Sequence, residues 1–310
     1  MIGAALAMNS AAAATDVELV SGRAFGTGWQ IVAPLGAGIA RLVPDIEALF
    51  DDIDRRLSPW RADSAVSRFN TGPARIHARD PALAVVTAAA LEIARQSKGA
   101  FDPTVGPLVA RWGFGPINHG GEPDWEAIGV GPHGVTKDRA DLTLDLCGIA
   151  KGWALDRAAR LLQGAGVQDA LLDLGGELIA LGSHPDGREW QVAVASPIAS
   201  GPVVGALRLP RGRAVATSGV REQSYVLNPR RYSHIIDPAT HEPARGGLVS
   251  VTVVAPDAMA ADGWATALFA AGGVAGPRLA LAEGIDALFL SEARGGLRQV
   301  ATGRISEFML

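Results

Sequence analysis

Apolar positions along the chain follow two periods. From Pro44 to Leu57 they recur at helical spacing, with Ile46, Leu49, Phe50, Ile53 and Leu57 on one face. A second helix is signed at both ends: Asp80 caps it, Pro81 suits the first turn and Gly99 follows the end. A third is predicted from about Ile149 to Leu162, ending at Gly164 or Gly166, and a fourth from about Met259 to Ala271, stopped by Gly272-Gly273. The strand period dominates elsewhere. Arg23–Ala33 reads as one strand interrupted by Gly26 and Gly28, a bulge or a close backbone approach. In ALLDLGGELIALG, Gly175-Gly176 separates two apolar runs and predicts a hairpin turn. Strand-like pieces follow at Trp190–Ala195, Val203–Leu209 and Val215–Thr217, with a hairpin over Tyr225–Ile236 around Asn228-Pro229. Leu248–Ala255 is valine-rich and reads as a buried strand, and a helix–strand–strand set closes the chain through Phe308. Residues 113–134 are rich in Gly and Pro and read as loop.

Early helices followed by hairpins predict an α+β fold with largely antiparallel sheets. The chain shows no exact repeat, linker or domain boundary. The expectation is one continuous, two-lobed globule, a single domain over residues 17–310 after a distinct start. That start, MIGAALAMNSAAAATD, ends on an Ala-x-Ala pattern like a secretory signal but lacks a positively charged n-region, so a disordered Ala-rich start stands beside the signal reading.

Composition changes the picture in three places. The 310 residues are 48% hydrophobic, enough for a substantial core. A net charge of −4 argues against a nucleic-acid partner, which calls for a basic patch. The only cysteine, Cys147, excludes an intramolecular disulfide and a Cys-rich zinc site. No stretch of about 18 apolar residues is present, so no transmembrane segment is expected. P-loop, dinucleotide-turn and nucleophile-elbow motifs are absent, and the six histidines lack H-x-x-x-H spacing.

Four dense segments remain. Gly99–Leu108, followed by Trp112-Gly-Phe-Gly, reads alone as a turn in which Asp102 bonds local backbone. In Asp145–Asp156 a strand end feeds a helix start whose free N–H groups and dipole favour an anion such as phosphate. Lys151 in that first turn opposes the dipole, which suits either a bound anion or a snorkelling surface lysine. In Asp262-Gly-Trp-Ala-Thr266, the i, i+4 spacing puts carboxylate and hydroxyl on one helix face, a hard-oxygen pair suited to Mg²⁺. The same pair is also explained by an N-cap Asp and a Thr bonding back to its own helix. His234, in Tyr232–Pro238, is either a proton acceptor or a histidine satisfied within a hairpin.

Taken in order, these segments resemble the ApbE family, the FAD:protein FMN transferases. The resemblance runs through Phe25-Gly-Thr27, Leu57–Trp60 with Ser67–Asn70, Gly99–Leu108 with Trp112–Pro116, Asp145–Asp156, Ala216–Gly219, Ser233–Pro238 and Asp262–Thr266. It implies flavin contact at Phe25, aromatic packing on FAD at Trp60, and FAD contacts at Ala100, Phe101, Asp102, Asp145, Lys151 and Ile236. It further implies Mg²⁺ held by the Gly148 backbone oxygen, Asp262 and Thr266, with FAD as substrate and AMP as leaving group. His234 is the expected acceptor of the hydroxyl proton, and Asp262 serves catalysis through the metal. The implied partner is an acceptor subunit of a membrane redox complex, such as a sodium-pumping quinone reductase or an Rnf-type complex, and the implied compartment is the periplasm, with the cytoplasm as the alternative. Two other outcomes use the same site: FAD hydrolysis to FMN and AMP, and FAD binding without turnover.

Several positions depart from the family pattern. Phe25 stands where Met is common, the lipid-attachment cysteine is absent, and Val-Arg-Glu-Gln follows Gly219 in place of an acidic-then-aromatic pattern. His241 stands where Gly is usual, so the turn after Asp237-Pro238 is expected to differ. Cys147 replaces a small residue and is expected to be a buried, small apolar side chain.

Overall fold

The computed structural model describes residues 16–197, 203–221, 223–228, 230–244 and 247–310. The Ala-rich start through Thr15, with its signal-like reading, lies outside the described residues. The chain begins with strands β1 (Val17–Ala24) and β2 (Thr27–Pro34), paired antiparallel. This corrects the single interrupted strand. Phe25 and Gly26 have φ of 51° and 74° and make a two-residue hairpin turn. A bulky aromatic in the left-handed region hides that turn from a reading based on Asn-Gly signals.

Helices α1 (Val43–Leu57), α2 (Ala65–Thr71), α3 (Pro81–Gln96) and α4 (Gly106–Arg111) follow. On α1 the expected face is inward: Ile46, Phe50, Ile53 and Leu57 are buried. The α3 cap forms as predicted, Asp80 Oδ1 accepting the Leu83 N–H at 2.9 Å. Helices α2 and α4 are too short to show a period. Strands β3 (Ile128–Gly131) and β4 (Gly134–Lys137) form a hairpin at the end of the segment read as loop. The third predicted helix is α5 (Ala150–Gly164).

Beyond it, β5 (Ala170–Leu174) and β6 (Glu177–Leu181) pair through Gly175 and Gly176, whose φ values of 66° and 103° fit the expected turn. Two hairpins bracket the next strand: β7 (Trp190–Val194) with β8 (Gly205–Leu209), then β9 (Ala214–Gly219), then β10 (Ser224–Leu227) with β11 (Arg230–Ser233). A short pair, β12 (Ile236–Asp237) and β13 (Glu242–Pro243), comes next. The chain ends with β14 (Leu248–Ala255), α6 (Ala258–Ala270), α7 (Gly272–Ala282), β15 (Asp286–Ala293), β16 (Gly296–Thr302) and α8 (Ile305–Phe308). Gly272 does end α6, but its φ of 80° redirects the chain straight into α7.

Eight strands form one sheet in the order β1-β2-β5-β6-β9-β14-β15-β16, every pairing antiparallel. Each residue of β5, β6 and β14 is buried, as the valine-rich run in β14 predicted. Helix α6 packs on β9 and β14, α5 packs on α6 and β6, and α7 packs on β15 and β16.

Two buried polar residues pin the segment that enters α5. Asn70 donates to Leu144 O at 2.9 Å and accepts the Leu144 N–H at 2.7 Å. Lys137 Nζ donates to the carbonyls of Asn70, Ala140 and Leu142 at 2.8–2.9 Å. An ammonium with all three donors used is a structural pin rather than a reactive group. It fixes where Asp145 and the start of α5 lie.

Candidate active site

Every residue singled out from the sequence lines one cleft of about 910 Å³: Phe25, Trp60, Ala100, Phe101, Asp102, Asp145, Gly148, Lys151, His234, Ile236, Asp262 and Thr266. These positions span most of the chain, and the fold brings them together.

The centre of the cleft lies where α5 meets α6. Gly152 allows the contact, since a Cβ there would lie 2.1 Å from Ala258 O. Asp156 on α5 accepts the Ala258 and Met259 N–H groups at 2.8 and 3.0 Å, capping α6 from a neighbouring helix. Burial pushes the Asp156 carboxyl up to about 6, against the pull of those two hydrogen bonds.

Asp262 is therefore not an N-cap. That role belongs to Asp257, which accepts the Ala260 N–H at 2.8 Å. The Asp262 carboxylate, 4% exposed, accepts the Gly152 N–H at 3.0 Å. Thr266 Oγ1 does not bond back to its own helix; it donates to Gly148 O at 3.3 Å and lies 3.3 Å from Ser218 Oγ. Gly148 lacks a Cβ where one would stand 3.1 Å from that hydroxyl. A backbone oxygen and a hydroxyl 3.3 Å apart thus share the cleft with a carboxylate, a hard-oxygen set whose donor types fit a small divalent cation. Among the described residues no group of three or more His, Cys, Asp or Glu forms a metal cluster. A cation here would rest on one carboxylate and neutral oxygens.

The open helix start expected for α5 is largely occupied. The amides of Ile149 and Ala150 donate to Leu146 O, that of Cys147 to Asp145 Oδ1, and that of Gly152 to Asp262. That leaves the Lys151 ammonium as the candidate for anion contact. Its partner is Glu177, with Nζ 2.6 Å from Oε1. Burial raises the carboxyls of both Glu177 and Asp262, and Lys151 pulls both back down.

Around this centre, Phe25 sits at the β1–β2 turn with its ring edge-on to Phe50, 5.6 Å between centroids. Trp60 is 66% exposed at the cleft, an aromatic surface open to a ligand. Asp102 keeps the local role expected of it, accepting from the Thr104 N–H at 2.7 Å, and burial raises its carboxyl. His234 pairs through Nδ1 with Gln223 O at 3.0 Å. A carbonyl only accepts, so Nδ1 carries the hydrogen and Nε2 keeps its lone pair. Burial also lowers the His234 pKa, which favours the neutral base.

One expectation needs revision. Cys147 is exposed to the cleft rather than buried. The surrounding walls and the Asp145 charge push its thiol well up, which disfavours the thiolate. His241 has a left-handed backbone, φ 59°, a conformation that Gly adopts without strain.

Sequence reasoning missed Ser218 and Glu177 as site residues. Glu177 carried a signal: it is the one charged position in β6, a strand otherwise Leu-Ile-Ala-Leu.

Comparison with known proteins supports the same reading. The sequence model of the ApbE family matches residues 25–289. A FAD:protein FMN transferase of Klebsiella pneumoniae (strain 342) is 32% identical, covering 98% of this chain and 93% of the relative. The solved flavin transferase ApbE from Vibrio cholerae superposes with a TM-score of 0.84 at 31% identity, covering 94% of this chain and 99% of that one. The Pseudomonas stutzeri flavinyl transferase ApbE, apo form, gives 0.84 at 32% identity, covering 94% and 96%. With the family matched across most of its length, this chain belongs to the ApbE family.

Proposed function

We propose that this protein transfers FMN from FAD to a Ser or Thr hydroxyl of an acceptor protein and releases AMP. One observation carries the reading: the oxygens of Gly148, Asp262 and Thr266 share a cleft with the Lys151 ammonium and the neutral His234 imidazole. The named relatives act as FAD:protein FMN transferases, and the cleft volume suits a dinucleotide.

Each residue then has a task. Phe25 and Trp60 offer apolar and aromatic surface to the flavin ring. The Ala100–Asp102 stretch and Ile236 line the wall it lies against. Lys151 meets the diphosphate charge as a point cation. Gly148, Asp262 and Thr266 would hold Mg²⁺, which when bound neutralises diphosphate charge at the reacting phosphorus. His234 Nε2 accepts the proton of the acceptor hydroxyl. The hydroxyl oxygen bonds to the flavin-side phosphorus, and the bond from that phosphorus to the bridging oxygen breaks. AMP leaves with that oxygen and its electron pair. FMN remains on the acceptor as a phosphoester.

The acceptor proposed is a subunit of a membrane redox complex, met in the periplasm; the family resemblance and the signal-like start support this. Among the described residues no helix is long and apolar enough to cross a membrane. The test mixes protein, FAD, Mg²⁺ and a candidate subunit. A covalent fluorescent flavin on the subunit, with AMP in equal amount, is expected. AMP released equally fast without acceptor would instead make the protein a hydrolase. Tight FAD binding without any product would make it a carrier.

A further inference from the structure

We propose that Glu177 is a positioning residue that holds the Lys151 ammonium at the diphosphate end of the cleft. The proposal rests on the reading of Lys151 as a diphosphate contact. Glu177 opens β6 directly after the Gly175-Gly176 turn and is 3% exposed. Its Oε1 lies 2.6 Å from Lys151 Nζ, while its Oε2 is buried with no hydrogen-bond partner among the described residues. A buried carboxylate with an orphaned oxygen is costly. Packing alone gives no reason for it, because the other four residues of β6 are apolar.

Lys151 supplies the reason. A lysine carries its charge on a flexible four-carbon stem, so a fixed partner decides where the charge sits. Among the described residues the titratable groups facing it include Glu177 from β6, Asp262 from α6, Asp173 from β5, Cys147 from the turn before α5 and His234 from the segment after β11. Cys147 and His234 are neutral here, and Asp173 is engaged with the Gly176 N–H. With Asp262 given over to a cation, Glu177 is the buried carboxylate in direct contact with the ammonium, at 2.6 Å.

The test is Glu177→Gln, which keeps the volume and leaves an amide oxygen to accept from Lys151. FAD affinity, by flavin fluorescence, and KM and kcat are measured with Mg²⁺. In the variant the KM for FAD rises by at least about tenfold, as the less firmly held ammonium leaves the diphosphate end, while kcat at saturating FAD changes far less. Glu177→Asp, which retains a carboxylate, restores most of the affinity. A merely structural role would lower kcat and the thermal midpoint together with FAD affinity in both variants, and that result overturns the proposal. Lys151→Met separates the layers. If it weakens FAD binding while Glu177→Gln leaves the KM for FAD unchanged, only the Glu177 assignment fails; if it leaves FAD binding intact, the reading of Lys151 fails with it.

Discussion

The α5–α6 wall of the cleft and the wall built from residues 223–238 face the same space with opposite construction. On the first, backbone meets backbone: Gly152 against Ala258, the Asp156 carboxylate on the start of α6, and Asp262 returned onto the Gly152 amide. On the second, His234 follows a two-stranded hairpin whose Tyr225, Val226 and Leu227 are exposed. Stacked rings steady that hairpin. Trp112 lies on Tyr232 at 5.6 Å, Tyr232 on Tyr225 at 5.3 Å and Tyr225 on Phe114 at 5.2 Å, with Phe114 edge-on to His234 at 6.2 Å. The difference fits the chemistry proposed for each wall. Holding a small cation demands oxygens fixed to within a few tenths of an ångström, whereas a base need only come within hydrogen-bond reach of a hydroxyl that another protein delivers.

The sharpest way to break this comparison is Asp262→Asn, which keeps shape and an acceptor for the Gly152 N–H but removes the charge. Transfer should fall roughly 10³-fold, with FAD affinity lowered only when Mg²⁺ is present. Wild-type turnover in that variant would remove Asp262 from the cation site. Next in size is His234→Gln, expected to lower kcat roughly 10²-fold without changing Mg²⁺-dependent FAD binding. The acid-side fall in kcat/KM, set at or below the ordinary histidine value, should vanish with it; an unchanged pH profile would assign the base elsewhere.

Gly152→Ala tests the tight wall itself. Its Cβ would overlap Ala258 O, so stability should drop by about 1–3 kcal/mol in a denaturant melt, with transfer lost alongside it. A variant as stable as wild type would show that the two helices are free to part. The smallest effect concerns Asp156. Its folded carboxyl, near 6, lies above the ordinary aspartate value, so its contribution is greatest below the unfolded value and is lost as pH rises through 6. Moving from pH 7 to pH 5 should therefore stabilise wild type by about 1 kcal/mol more than Asp156→Asn, read as the difference in urea midpoints.

Much of this molecule was legible in one dimension. The caps at Asp80 and Gly99, the Gly175-Gly176 turn and the buried β14 run follow from local backbone preference and hydrophobic period, which neighbouring residues settle among themselves. The Phe25-Gly26 turn escaped because its first residue is one that rarely adopts a left-handed conformation, and α2 and α4 because they span too few residues to repeat.

The ordered motifs, read from sequence alone, named the family and twelve residues that line the cleft, but not Glu177 or Ser218. Whether Asp262 capped its own helix or faced α5, and whether Lys151 reached solvent or a buried acid, was decided only by tertiary structure. Those outcomes depend on how closely two helices approach and which strand lies beneath them. Such distances join residues 26 and 110 positions apart, beyond the reach of any local pattern.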